Sequence, residues 1–394
     1  MNKLHEYWVP DYYEQFACKG GKCRSVCCKG WPVSVSLEEY YRMIGMDCSP
    51  ELRRRMDCMF HVAEHPTEDR YAQITPNWLG DCPLHMENGY CQLQAECGEQ
   101  AIPTICRVYP RGAREMDGAC ECSCSNSCEE TLELLFRHEE PLRFYRKAIE
   151  GAPPSQPVFV PEFAQQHAGE IRKMCLLEMQ NGARPLQQRI RRIGRYLAVL
   201  QKAFAQASDP AIGQALLACR ALPDEHESTP DPVAAVQMMY RLAVVIGQNS
   251  RSTEAYAHTA LQALGMDGDE GDIDWPAVAR KYMASAEKLE KKAPQWEYRF
   301  ENMLANHMYY LSFPFSDRFE SIGEEYPSLA AVYAFLRFLL VGCETEDSTE
   351  TSRVDICAAA FRVIDHSAFA RNSAHLLEKM GRTKLEDVDQ LLLV

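Results

Sequence analysis

Fourteen of the chain's 18 cysteines fall within residues 1–128, and any fold must first accommodate that crowding of thiols. Two chemistries make such crowding useful: disulfides in an oxidising compartment and metal ligation in a reducing one. The opening stretch, Met1 to Asp11, has no apolar core and no small-residue cleavage site of the kind that directs export. The most apolar stretch, Leu329 to Gly342, is interrupted by Arg337 and is too short to cross a bilayer. The expectation is therefore a cytoplasmic protein with no membrane association, whose clustered thiols are reduced and hold metal.

The first cluster is Cys18-x4-Cys23-x3-Cys27-Cys28, with Gly20 and Gly21 inside it to let the backbone curl. The second is Cys82-x8-Cys91-x5-Cys97-x8-Cys106. Its Asn88-Gly89 pair is a strong hairpin signal and would bring Cys82 and Cys91 together across two arms. The third, Cys120-x-Cys122-x-Cys124-x3-Cys128, has no obvious ligand pattern. Cys48, Cys58, Cys175, Cys219, Cys343 and Cys357 stand alone, as small buried hydrophobes do.

The two short Cys-x2-Cys pairs of a structural zinc site are absent. All-thiolate ligation with looser spacing suits a [4Fe-4S] cluster, which takes four cysteines. Cys18, Cys23, Cys27, Cys28, Cys82, Cys91, Cys97 and Cys106 are eight candidates for those four places, and zinc remains the alternative metal. The Cys-x3-Cys-x2-Cys spacing of radical enzymes is missing, each interval here being one residue longer.

Beyond the cysteines the chain turns helical. Leu186, Ile190, Ile193, Leu197 and Leu200 recur at helical spacing, and comparable patterns run over 232–247, 276–292, 295–312, 327–342 and 353–380. The expected architecture is mainly α: a small Cys-rich, metal-pinned α+β module in 1–150, a Pro-rich linker over 151–157, and a domain of six to nine helices in 151–394. Ser36 and Glu39 read as a capping box, and Asp274 as an N-cap with Pro276 at the first helical position. Arg184, Arg189, Arg191, Arg192 and Arg195 read as a solvated helix face. A net charge of −14 argues against a nucleic-acid partner. No Gly-x-Gly turn follows a strand, so a doubly wound dinucleotide-type sheet is not expected.

Phe16-Ala17-Cys18, Cys27-Cys28-Lys29-Gly30-Trp31, Gly80-Asp81-Cys82-Pro83-Leu84, Gly89-Tyr90-Cys91 and Cys106-Arg107-Val108-Tyr109-Pro110-Arg111 resemble the bacterial flagellin lysine-N-methylase family. So do Ser127-Cys128-Glu129-Glu130-Thr131-Leu132 and Phe300-Glu301-Asn302-Met303-Leu304-Ala305-Asn306, running on to Phe313-Pro314-Phe315. That family lies within a broader group of zinc- or iron-chelating cysteine-cluster proteins. Cys120, Cys122 and Cys124 stand outside the pattern. The resemblance implies an S-adenosylmethionine-dependent protein-lysine N-methyltransferase carrying a [4Fe-4S] cluster, with flagellin as its partner and substrate. The alternatives are a non-catalytic metal-binding or redox-sensing protein with a helical partner-binding domain, or a zinc-stabilised structural protein.

Methylating an amine requires in-line contact with the donor carbon and a neutral nitrogen, whereas a free lysine has a pKa of about 10.4. Glu301 and Tyr309, on the helix expected over 295–312, are candidates for moving the proton. Asn302 and Asn306 are candidates for holding the donor. Arg107 and Arg111, beside a ligand cysteine, would either clamp the donor's carboxylate or offset the charge of a thiolate-bound cluster.

Overall fold

Ser36 opens the first α-helix, Leu37–Ile44, as the capping box requires: its hydroxyl accepts from Glu39 N at 3.2 Å and Glu39 accepts from Ser36 N at 2.9 Å. This is a computed structural model, and it describes residues 5–149, 155–223, 229–247, 250–319 and 321–393. Eight strands, β1 (His5–Pro10), β2 (Val33–Val35), β3 (Phe60–Val62), β4 (Ala72–Ile74), β5 (Arg111–Met116), β6 (Ala119–Cys124), β7 (Phe144–Ile149) and β8 (Ser155–Pro157), form two sheets among these residues. One is five-stranded in the order β7-β1-β6-β5-β8, with β1–β6 and β5–β8 parallel and the other pairs antiparallel. The other is three-stranded and antiparallel, in the order β2-β4-β3.

The apolar cores do not part at residue 150. Val35, Met43, Leu52, Met56, Ile74, Leu84, Leu93 and Ile102 enclose a small core of their own. The five-stranded sheet instead shares one continuous core with the helices, from Tyr7 and Val9 through Phe335 to Leu392. Ser155–Pro157, expected as linker, pairs with β5, and 151–154 lie outside the described residues.

After residue 160 the described residues form eleven α-helices, from Gln165–Met179 to Leu385–Val388. This exceeds the expected six to nine. Gln165–Met179, Asp209–Arg220 and Arg251–Leu264 bury stripes made largely of small residues such as Ala168, Ala215, Ala257 and Ala260, and the single pattern over 353–380 is two helices, Glu350–His366 and Phe369–Lys379. Asp274 does cap its helix, accepting from Ala277 N at 3.1 Å, but Trp275 takes the first position and Pro276 the second. The helix Glu325–Cys343 is apolar all round because other helices surround it, and 89% of its most apolar window is buried within the protein.

The arginine run is a correction. Arg189, Arg191 and Arg192 are buried, not solvated. Arg189 pairs with Glu301, Arg195 with Asp389 at 2.6 Å, and Arg192 donates to Tyr196 Oη at 3.0 Å and to the Leu222 and Pro223 carbonyls. The carboxylates that neutralise these cations come from distant helices, which local periodicity does not reveal.

Glu325 starts the central helix with a buried carboxyl. Burial raises its pKa to about 7, against opposing hydrogen bonds from Ser316 and the charge of Arg318. The folded chain therefore keeps a proton that the unfolded chain, with a pKa of about 4.3, has released. Stability falls as pH rises from about 4.5 through 7, by up to about 3 kcal/mol. Glu325→Gln, which mimics the protonated form, is expected to raise the melting temperature at pH 8 and leave it nearly unchanged at pH 5. An equal shift at both values would contradict this assignment.

Candidate functional site

The loop carrying Cys18 to Cys28 is strapped onto the helical body by charge. Glu129, buried at the start of the helix Glu129–Arg137, accepts from the backbone N–H groups of Arg24 and Ser25, both at 2.8 Å, and from Lys19 Nζ at 2.9 Å. Arg24 reaches Asp355 at 3.0 Å, and Arg362 donates to the Val26 carbonyl at 2.9 Å. Asp355, which accepts, and Arg362, which donates, both lie on the helix Glu350–His366, so the first cysteine loop lies at the seam between module and body.

The second loop docks on the first. Cys82 N donates to Cys28 O at 2.8 Å, Gly30 N to Gly80 O at 2.9 Å, and Lys29 pairs with Asp81 at 3.0 Å. The Asn-Gly signal is a tight turn closed by a single bridge between His85 and Cys91, not a hairpin of two strands. Gly89 sits there at φ +84°, and a Cβ on it would lie 2.5 Å from the Gly21 carbonyl. Gly21 in turn packs beneath the Tyr90 ring. The two glycines are therefore a second place where the two thiol loops touch.

Of the eight candidate ligands, Cys27, Cys28, Cys82, Cys91 and Cys106 share one electrostatic neighbourhood. Cys18 and Cys23 adjoin it next to Cys128. Cys97 lies elsewhere, facing Cys48 and Asp47. A hydrogen bond with Cys28 brings the Cys27 thiol down to about 7 against the cost of burial, with help from Arg362, and pushes Cys28 up. Burial raises Cys82 to about 11 and raises Cys91 and Cys106 as well. Two of these sulfurs sit in cradles of backbone N–H groups that favour an anion: Cys82 with Leu84 and His85, and Cys91 with Leu93 and Gln94 at a helix start.

Among the described residues, no three His, Cys, Asp or Glu side chains already surround one point as the ligands of a single ion do. Thiolates are donors that both a zinc ion and a [4Fe-4S] cluster take.

Cys120, Cys122 and Cys124 alternate along β6 onto a single face, and Cys122 and Cys124 are buried in the main core. Cys122 donates to Tyr13 Oη at 3.4 Å. They are core residues and not part of the thiol centre.

The helix Trp296–Tyr310 places the other candidates in structural contacts. Glu301 is buried against Arg189. Asn302 Nδ2 donates to the His138 carbonyl at 2.9 Å. Asn306 accepts from Tyr12 Oη at 2.7 Å and donates to the Cys124 carbonyl at 2.8 Å and Asn126 Oδ1 at 2.6 Å. Tyr309 Oη donates to the Trp8 carbonyl at 2.9 Å, its ring stacked on Phe144. Arg107 donates within its own loop, to Gln100 at 2.7 Å and Thr104 at 3.3 Å, whereas Arg111 lies over the Phe16 ring at 4.8 Å beside Cys122 and Cys124. The two arginines do not converge.

The structure instead assembles a group that sequence reasoning passed over. Trp31, Tyr109 and His366 form a corner, with ring centroids 5.9 Å apart for Trp31–Tyr109, 5.1 Å for Trp31–His366 and 6.2 Å for Tyr109–His366. Behind it, Ser127 Oγ meets Tyr109 Oη at 2.9 Å, His366 Nε2 at 2.8 Å and Ser125 Oγ at 2.6 Å. Ser125 donates to Asp365 at 2.5 Å, and Asp365 pairs with His307 Nδ1 at 3.0 Å. Burial pushes the Asp365 carboxyl up, but His307 and nearby positive charges more than offset this and hold it below the usual range. Cys27, Cys106 and His366 are exposed residues, and partial burial pushes the Cys106 thiol up and the His366 imidazole down. The corner lies at the seam, next to the thiols: Tyr109 feels the charge of Cys27 and Cys128.

A helical body that grips a reduced thiol centre along one seam defines a cysteine-centre protein of mainly α architecture. Within that class, the chain belongs to the FliB lysine N-methylase family: residues 172–394 match the model of the FliB lysine N-methylase C-terminal domain. It is similar to the lysine-N-methylases of Salmonella typhimurium and Salmonella choleraesuis, each 21% identical over 348 residues and covering 84% of both chains. It is also similar to the flagellar biosynthetic protein FliU of Salmonella muenchen, at 22% over 139 residues, covering 35% of this chain and 81% of that one. No solved structure matches it.

Proposed function

We propose that this chain is a cytoplasmic protein-lysine N-methyltransferase that moves a methyl group from S-adenosylmethionine to surface lysines of flagellin. The observation that carries this reading is the family match over residues 172–394, which includes the helix Glu350–His366 that carries His366. The flagellar name of one relative supports flagellin as the substrate. Four of Cys27, Cys28, Cys82, Cys91 and Cys106 would hold the [4Fe-4S] cluster. When bound, the cluster supplies a rigid, thiolate-anchored node that ties three loops together. The N–H cradles around Cys82 and Cys91 stabilise the thiolates such a node needs. Trp31 and Tyr109 offer aromatic faces suited to cations, which both the sulfonium donor and a lysine are.

Anaerobically purified protein is expected to contain iron and sulfide, to bind S-adenosylmethionine in calorimetry, and to add methyl mass to flagellin. Loaded protein that binds the donor but leaves flagellin unmodified would overturn the reading. Cys91→Ser and Cys106→Ser are expected to lose most of the iron, whereas Cys97→Ser and Cys219→Ser keep it. Gly89→Val is expected to lose iron as well, because its side chain drives the two loops apart. Wild-type iron in Gly89→Val would show that loop contact is irrelevant to the centre.

A further inference from the structure

The hydrogen bonds behind the seam corner can be assigned directions by counting protons. Asp365, held as a carboxylate, only accepts, so the one Ser125 hydroxyl proton goes to it. Ser125 Oγ then accepts the Ser127 hydroxyl proton, which leaves Ser127 Oγ to accept from its other two neighbours, Tyr109 Oη and His366 Nε2. His366 is therefore the Nε2–H tautomer, and its Nδ1 carries a free lone pair. The chain of donors runs inward to Asp365 and leaves one basic atom on the exposed side chain at its outer end.

We propose that the corner formed by Trp31, Tyr109 and His366 receives the substrate lysine, and that His366 Nδ1 takes the proton from its ammonium. This rests on the methyltransferase reading and adds the residues that receive the amine, which that reading leaves open. The ammonium gives one proton to Nδ1, and the freed nitrogen lone pair forms the N–C bond to the donor's methyl carbon. The C–S bonding pair stays on sulfur, leaving a neutral thioether and a methylammonium product, and His366 passes its proton to solvent. The groups facing His366 are Tyr109 and Ser127 from the module, Arg362 and Asp365 on its own helix, Arg318 from the segment after Tyr310, and Trp31. Arg318 donates to the Ile364 and Asp365 carbonyls at 2.9 and 2.8 Å, and Arg362 lies over Trp31 at 5.4 Å. Both cations disfavour a charged amine and favour the neutral nucleophile, while the aromatic faces hold it on either side of proton transfer.

The test compares metal-loaded wild type with His366→Asn on flagellin. The variant is expected to keep its iron and its affinity for S-adenosylmethionine but lose about 10²–10⁴-fold in kcat. Its rate should rise with pH well beyond the point where the wild type levels off. Replacing the target lysine with thialysine, a less basic amine, should restore much of the variant's rate. If His366→Asn fails to fold, Ser127→Ala serves in its place: removing the acceptor that fixes the tautomer should lower kcat with little change in KM. An active wild type alongside a variant of equal kcat and pH profile overturns the lysine corner alone. A loaded wild type that transfers no methyl overturns the methyltransferase reading and the corner with it.

Discussion

Asn306→Leu is expected to destabilise the protein by about 3–5 kcal/mol, one of the largest single-residue effects in the chain. The Asn306 side chain is fully buried and ties three elements together. Tyr12 Oη, after β1, donates to it at 2.7 Å, and it donates to the Cys124 carbonyl at the end of β6 and to Asn126, whose own amide reaches the Met303 carbonyl at 2.8 Å. Leucine fills the volume but orphans polar groups that no water can reach, at about 1–3 kcal/mol each. The helix Trp296–Tyr310 would lose its register against the sheet, and the Ser125–Ser127 turn beyond Cys124 would move with it. Urea denaturation measures the loss directly. A change below about 1 kcal/mol would mean that Asn306 is held for a ligand and not for the fold.

That test bears on how much of this molecule its sequence discloses. Local rules were legible: the Ser36–Glu39 capping box depends on residues three apart, and the apolar rhythm over 186–200 and 327–342 marks helices because burial acts through period 3.6. The thiol centre was legible in outline, since the clustering of cysteines bounds their chemistry. Which thiols meet was not, because Cys28 and Cys82 are joined by backbone pairing across more than fifty residues, while Cys97 is turned toward Cys48 by its own helix. The helix Trp296–Tyr310 is legible from its sequence, but the long-range partners of Glu301, Asn302, Asn306 and Tyr309 are not, because they come from Arg189, His138, Tyr12 and Trp8 in distant segments. The convergence of the corner residues gave no local signal. Trp31, Tyr109 and Ser127 fall within motifs that carry the family resemblance, but nothing local ties them to one another or to His366; they meet only where the module meets the body.

Arg189→Met should cost about 3–5 kcal/mol at neutral pH, because it leaves Glu301 as a buried charge without its partner. Arg189 also donates to the Arg184 and Met179 carbonyls, at 2.6 and 3.2 Å, so the pair joins the helices Leu186–Phe204 and Trp296–Tyr310 to the turn between 179 and 185. Burial already raises the Glu301 pKa above its ordinary value even with Arg189 in place, and removing the cation raises it further. In the variant the folded state therefore holds a proton that the unfolded chain releases, so the deficit is smallest near pH 5 and grows as pH rises through the elevated pKa. Adding Glu301→Leu removes the charge itself, and the double variant should recover most of the lost stability and lose the excess pH dependence. If Glu301 were instead a catalytic base, Glu301→Gln would abolish methyl transfer and leave the melting curve unchanged. The buried pair predicts the reverse: a weakened fold whose remaining folded fraction still methylates, because the atoms that receive the amine lie at the seam and not on this helix.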